Sequence, residues 1–549
     1  MTTAPRETAF PAPHEIEGFW AFDKMHAPRP ITPLASDLIV MTLAEGFTEA
    51  QAEFDSPVAV TNKMVNYYYY ASFHPLADEA ERDDRLTRYR QTLEDKVPHV
   101  GRQWTTEWQP VIEQAALRER QADYAALSDE ELVAKLADLE HGMKEQWKVH
   151  GRINFVLVAS ASYCDFYEEV MQPADPTESY QSIQGFDTRS AAASRGLWRL
   201  SRVVRDSPAL VSLFESAEAR SLQPALEASE EGRAFLAELR AYLDEFGWRS
   251  DAVYDIADVT WREEPSIPLG AIASYVGIGD EADPDELYER AVRTREALLA
   301  KVHEKLAHDP ERLARFDTLY EAARHSNPLT EDHAFWIDQM GVAIVRRFAL
   351  HIGRRLADQG LISSPEDVFY LFRDELTDTL RHHVDRRQLT AQRRAEMAAW
   401  AEVTPPPTLG TPPPPAEDPF MDAITVRLLG ITPPDDGPQD RDVLKGVAGS
   451  PGVVTGTARV VRSLAEAAVL DEGDIMVCEM TLPPWVPLFS VVAGVVTDTG
   501  GVLSHCAIVA REYGLPAVVG TRVGTSTITD GTTVTVDGTK GVVLLGSSA

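Results

Sequence analysis

Cysteine is nearly absent. Only Cys164, Cys478 and Cys506 occur; they are too far apart for a metal cluster and odd in number, so neither a disulfide framework nor a metal site is expected. Basic residues are also short. Against 86 acidic side chains there are 52 basic ones, a net charge of −34. That balance repels nucleic acid and anionic membranes, and no local basic patch offsets it. The acidic excess reads as solvated helix faces. No run of 18 apolar residues occurs, and the opening MTTAPRETAFPAPHEIEGFW lacks a basic start followed by an apolar stretch. Neither a membrane span nor a signal peptide is therefore predicted, and a reducing cytoplasm is the expected compartment. Glycine-rich phosphate loops are missing as well. The chain alone is expected to bind no nucleotide and no metal.

What is present divides the chain. Its 549 residues suggest about three to four domain-sized units. Residues 1–402 carry long stretches with apolar residues at three-to-four spacing, which predict helix over Ser128 to Val158, Gly232 to Phe246, Pro284 to Leu306, Pro310 to His325 and His333 to Gln359. Ser128 followed by Glu131 predicts a capping box. Trp20 to Leu34 and Trp248 to Pro268 read as loops. Residues 403–445 hold TPPPTLGTPPPP and ITPPDDGP, where fixed φ and missing amides exclude regular helix and favour an extended spacer.

From Gly446 onward the texture changes. Of the 33 glycines, 15 fall here, between short Val-rich runs such as VVTGTARVV, DIMVCE, AGVVTDT and PAVVG. These read as strands with tight turns, and Asp537-Gly538 as hairpin chemistry. One helix is predicted over Leu503 to Tyr513, closed by Gly514. The expected architecture is multidomain: a mainly α-helical N-terminal region (1–402), a proline-rich linker (403–445) and a compact β/β/α domain (446–549).

TDTGGVLSHCAIVAREYGLPAVVG, Thr497 to Gly520, places Ser504-His505 at the start of that helix. Unpaired amides and the positive helix end stabilise negative charge there, and neutral imidazole is a nucleophile near pH 7. Gly500 and Gly501 let backbone approach a phosphate closely.

With GVAGSPGVVTGTARVV and DIMVCEMTLPPWVPLF, the segment resembles the swivelling phosphohistidine domain of PEP-utilising enzymes, whose phosphorylated histidine matches His505. The resemblance assigns phosphate contacts to Gly500, Gly501, Ser504 and Thr481. Upstream, FWAFDKMHAPRPITPL, Phe235 to Pro265, LTEDHAFWIDQM and Leu356 to Leu376 resemble the helical substrate-binding regions of rifampin phosphotransferases and of the histidine-bearing subunits of phenylphosphate synthases. Trp248 stands where such relatives often carry His. Too little strand pattern precedes residue 400 for an ATP-grasp domain. The resemblance implies a phosphotransferase subunit: a separate ATP-grasp subunit, with ATP and Mg2+, phosphorylates the histidine and releases AMP and phosphate, and the histidine phosphorylates a hydroxyl.

Transfer to a hydroxyl needs a base and nearby cations. Glu331, His333 and Asp338, with Trp336 as an aromatic wall, are candidates, and so is Arg249; caps and surface ion pairs are the competing roles. Arg262, Arg354, Arg355 and His26 are equally open. Tyr67 to Tyr70 read as consecutive positions around a helix. They either pack in a core or, with Phe155, Tyr163 and Trp336, wall a pocket for a flat ligand, which points to a phenolic acceptor. A phosphorylatable sensor or scaffold without catalysis, and an antibiotic-modifying phosphotransferase, are the alternatives.

Overall fold

The computed structural model describes residues 10–24, 26–75, 81–175, 177–216, 219–250, 253–277, 283–411, 442–462, 466, 470–481 and 483–546. Contacts gather the chain into two units. The first comprises 1–155, 252–259 and 336–416, the second 156–251, 260–335 and 417–549. No helix among the described residues is long and apolar enough to cross a membrane.

The first unit joins helices to a small antiparallel sheet. Strands β1 (Phe19–Phe22), β2 (Val58–Val65), β3 (Tyr68–Pro75) and β4 (Thr408–Gly410) run in the order β2-β3-β1-β4. The predicted capping box is formed: Glu131 Oε2 accepts from the Ser128 amide at 2.8 Å and opens the helix Asp129–Ile153. That helix does not run on to Val158. It ends at Ile153, and a new one begins at Val156.

The tyrosine run is strand, not helix. Asn66 and Tyr67 both have positive φ, 52° and 68°, and close a two-residue hairpin of the primed type. Aromatics suit the pleated surface that follows. With a period of two, Tyr68 and Tyr70 pack with Phe10, Phe22 and Trp400 on one face, while Tyr69 turns to the other and meets Tyr254. Their hydroxyls are used structurally: Tyr68 donates to the carbonyls of Trp400 and Val403, Tyr70 to that of Pro406. The start of the expected spacer is thus pinned, because Thr408–Gly410 also pairs with β1. Phe19–Phe22, expected as the edge of a loop, is a strand for the same reason. Residues 412–441, including PFMDAITVRLLG, lie outside the described residues.

The second unit packs the helices Val156–Met171, Arg189–Arg205, Glu230–Phe246, Ser266–Gly277, Pro284–Leu306, Pro310–Ala323 and Ser326–His333 with the C-terminal β fold. The latter has β5 (Val443–Lys445), β6 (Val447–Ser450), β7 (Val453–Val460), β8 (Ile475–Cys478), β9 (Gly494–Thr497), β10 (Ala517–Val519), β11 (Thr533–Asp537) and β12 (Val542–Leu545). Their order is β5-β12-β11-β7-β8-β9-β10-β6, parallel from β7 through β10 and antiparallel at both flanks. The parallel strands β8, β9 and β10 are buried throughout, as their unbroken Val-rich runs require. The β fold is seated on the helices. Val491 is buried in the core of Leu197, Phe235 and Tyr275, and Leu503 in that of Tyr163 and Phe316. Burying each such side chain contributes about 1.5–3 kcal/mol.

Candidate active site

Strand β9 delivers the chain into Asp498, Thr499, Gly500 and Gly501. Gly500 has φ +107°, and a Cβ there would approach Ser504 Oγ to 2.8 Å, so both conformation and space demand glycine. Ser504 caps the helix His505–Tyr513, its hydroxyl accepting from the Ala507 amide at 3.4 Å, and Gly514 ends it in the left-handed region. His505 is therefore the first helical residue. Arg511, buried on the same helix, ties it to the sheet by donating to the Gly449 and Val502 carbonyls. Thr481 and Cys506 are buried beside each other; burial pushes the Cys506 thiol up to about 12, with the Thr481 hydroxyl acting in the other direction. Such a thiol is inert.

The His505 ring is buried against a residue 174 positions earlier. Its Nδ1–H donates to Glu331 Oε1 at 2.7 Å. Nε2 is buried and has no hydrogen-bond partner among the described residues. Glu331, 2% exposed, lies on the short helix Ser326–His333. Burial pushes its carboxyl up, but the charge and hydrogen bond of His505 outweigh this, and the group stays below the ordinary glutamate range. The next residue behaves in the opposite way. Asp332 accepts from the Arg189 amide at 2.8 Å, and burial lifts it to about 7. His333 donates from Nδ1 to the Leu329 carbonyl at 2.7 Å, which leaves Nε2 as its basic nitrogen.

Cations stand close to this acid group. Arg249 is 1% exposed, donates to the Phe246 carbonyl and lies 4.5 Å from the Phe335 ring centroid. Burial lowers it to about 10, so it remains charged at neutral pH, and it senses the charges of Glu331 and Asp332. Arg189 lies against the same aromatic pair, 4.8 Å from the Phe335 centroid and 4.6 Å from that of Phe246. Glu512, on the histidine helix, is lifted to about 8 by burial and by Glu331.

Of the candidates from sequence, the second unit brings together His505, Glu331, His333 and Arg249. Gly500, Gly501 and Ser504 build the turn that presents the histidine. Asp338 and Trp336 belong to the first unit, where Asp338 accepts from His150 Nδ1 at 3.0 Å. Arg355 pairs with Asp129, and Arg262 with Asp244. Trp248 is buried with its indole N–H given to the Asp244 carbonyl. Tyr163 is a core residue of the second unit, bonded to Ser182. Sequence reasoning missed Arg189, Asp332 and Glu512. Arg189 and Glu512 occupy ordinary helical surroundings with no motif, and Asp332 was passed over within LTEDH although it follows Glu331 directly.

Comparison with known proteins matches two stretches of the chain to family models. Residues 154–331 match the rifampicin phosphotransferase fourth domain, and 470–541 the mobile domain of PEP-utilising enzymes. The chain is 33% identical over 97% of its length to chondramide synthase cmdD of Chondromyces crocatus, of which it covers 14%. It is 29% identical over 96% of its length to the uncharacterized phosphotransferase YvkC of Bacillus subtilis, covering 62%. Over 62% of its length it is 33% identical to a rifampicin phosphotransferase of Streptomyces, covering 38%. The chain thus spans less than two thirds of each of these relatives. Along the chain, the match to the rifampicin phosphotransferase fourth domain comes first and the match to the mobile domain of PEP-utilising enzymes second, and His505 opens a helix within the latter stretch.

Proposed function

We propose that the chain is a phosphotransferase that carries a phosphoryl group on His505 Nε2. A separate ATP-grasp subunit supplies it from Mg-ATP, with release of AMP and phosphate, and a hydroxyl of a small phenolic molecule receives it. The observation that carries this reading is the division of labour on one ring: Nδ1 is committed to Glu331, while Nε2 has no partner among the described residues. A carboxylate that holds Nδ1 protonated leaves the Nε2 lone pair as the nucleophile. It also lets the ring depart as neutral imidazole when the N–P bond breaks. Arg249 supplies fixed positive charge near the pair, of the kind that phosphoryl transfer uses. Nε2 is buried in this arrangement, so loading from a separate subunit requires the mobile domain to leave the helices.

A second reading, modification of an antibiotic, is favoured by the rifampicin phosphotransferases among the relatives. It keeps the same chemistry and changes only the acceptor.

The test is phosphate on the chain. Incubated alone with Mg-ATP, the chain gains none; with an ATP-grasp partner it gains one acid-labile phosphate, at Nε2 of His505 by isomer-specific analysis. His505→Ala abolishes labelling and transfer, with folding checked by its urea transition because the substitution leaves the buried Glu331 carboxylate without its partner. Labelling that survives this substitution sinks the reading.

A further inference from the structure

The first unit holds a second histidine–carboxylate arrangement that the phosphate carrier does not use. Asp23 follows β1 and bends the loop back: its carboxylate accepts from the His26 amide at 3.0 Å and from His26 Nδ1 at 3.0 and 2.9 Å. With Nδ1–H committed to Asp23, Nε2 is the basic nitrogen of His26. The ring lies on Tyr254, centroids 5.1 Å apart and 21° from parallel. Trp147 meets the same tyrosine edge-on at 5.8 Å, and lies 5.5 Å from His150, whose Nδ1 donates to Asp338. Two imidazoles, each oriented by its own carboxylate, thus share one aromatic wall.

Trp147 is fully buried, yet its indole N–H has no hydrogen-bond partner among the described residues, an omission that costs about 1–3 kcal/mol. The His26 side chain is 37% exposed over a buried Tyr254, so the imidazole is the part of the cluster that solvent reaches. Burial lowers the basicity of His26, but the charge of Asp23, its hydrogen bond and the charge of Asp338 more than offset this and raise it above the ordinary histidine value. A base so adjusted suits proton removal near neutral pH. Asp23, Asp338 and Tyr254 are the titratable groups that face it.

We propose that this cluster binds the aromatic, hydroxyl-bearing acceptor, with Tyr254 and Trp147 as its wall and His26 Nε2 as the base. The proposal rests on the phosphotransferase reading for its donor. In the step, the hydroxyl proton passes to His26 Nε2, an O–P bond forms as the N–P bond of phosphohistidine breaks, and the carrier leaves as imidazole.

The experiment uses the full chain and a panel of phenol, 1-naphthol and benzyl alcohol. Carbethoxylation of His26 by diethyl pyrocarbonate is followed by mass spectrometry across pH. An aromatic alcohol that fills nine-tenths of the sites slows it about tenfold by mass action, in the native chain and equally in His505→Ala. The pH midpoint of modification lies above that of ordinary histidine and falls in Asp23→Asn. Separately, the chain is loaded at His505 with phosphoramidate and mixed with the alcohol. His26→Gln loads normally and transfers about a hundredfold more slowly. The proposal fails if no alcohol protects His26, or if His26→Gln transfers at the native rate. Protection without any transfer by the native chain removes the phosphotransferase reading and the base role together, leaving a ligand site.

Discussion

His505 and His26 each give a ring N–H to a carboxylate, yet the two pairs are built in opposite ways. Asp23 and His26 are three residues apart in one loop, and the histidine side chain is 37% exposed. Glu331 and His505 are 174 residues apart, and their side chains are 3% and 13% exposed. The first pair forms wherever its loop forms. The second exists only when the C-terminal β fold is seated on the helices of its unit. Water reaches the first, whereas in the second the buried Glu331 carboxylate depends on the His505 ring N–H for its partner.

The sharpest way to break the comparison is Glu331→Ala. It leaves the His505 ring buried opposite no carboxylate, and the transition of the second unit is expected to lose about 2–4 kcal/mol at pH 7, read from urea midpoints. Because the folded Glu331 pKa is depressed, this contribution is present above about pH 4 and is lost as pH falls through the folded value. Equal stability of native and variant chains at pH 7 would show that the pair does no stabilising.

Asp332 sharpens the contrast from the same helix. Its folded pKa is raised, to about 7, so the folded state holds a proton that the unfolded chain has released. Its effect is therefore a loss of stability as pH rises from about 4 to about 7. Asp332→Asn retains an acceptor for the Arg189 amide and removes the ionisation, and is expected to be more stable than the native chain by about 1–2 kcal/mol at pH 8, with no difference at pH 4. A gain that is independent of pH would exclude this cause.

The smallest effect belongs to the half-buried loop pair. Asp23→Asn is expected to change stability by less than about 1 kcal/mol, and less again in high salt. A loss as large as that of Glu331→Ala would mean that the loop pair is structural and not poised for chemistry.

The C-terminal fold was legible to a large degree. Short Val-rich runs, turn glycines and the helix closed at Gly514 reappear as β7 to β12 and the helix His505–Tyr513. Those signals act over a few residues, as turn geometry and capping do. The tyrosine run misled because four aromatics in a row fit either period, and the decision fell to Asn66 and Tyr67 at positive φ together with the strands on either side of β3.

By itself the sequence determined the place of His505: glycines that only a tight turn needs, a serine cap, and a helix whose first residue is the histidine. These are local backbone constraints, and local constraints are written in adjacent residues. Only the tertiary structure decided which carboxylate that histidine meets. Glu331, Asp332 and Asp338 look alike within LTEDHAFWID. One faces His505, the next a backbone amide, and the third His150, because burial and long-range packing, not residue type, set each partner and the opposite shifts of Glu331 and Asp332.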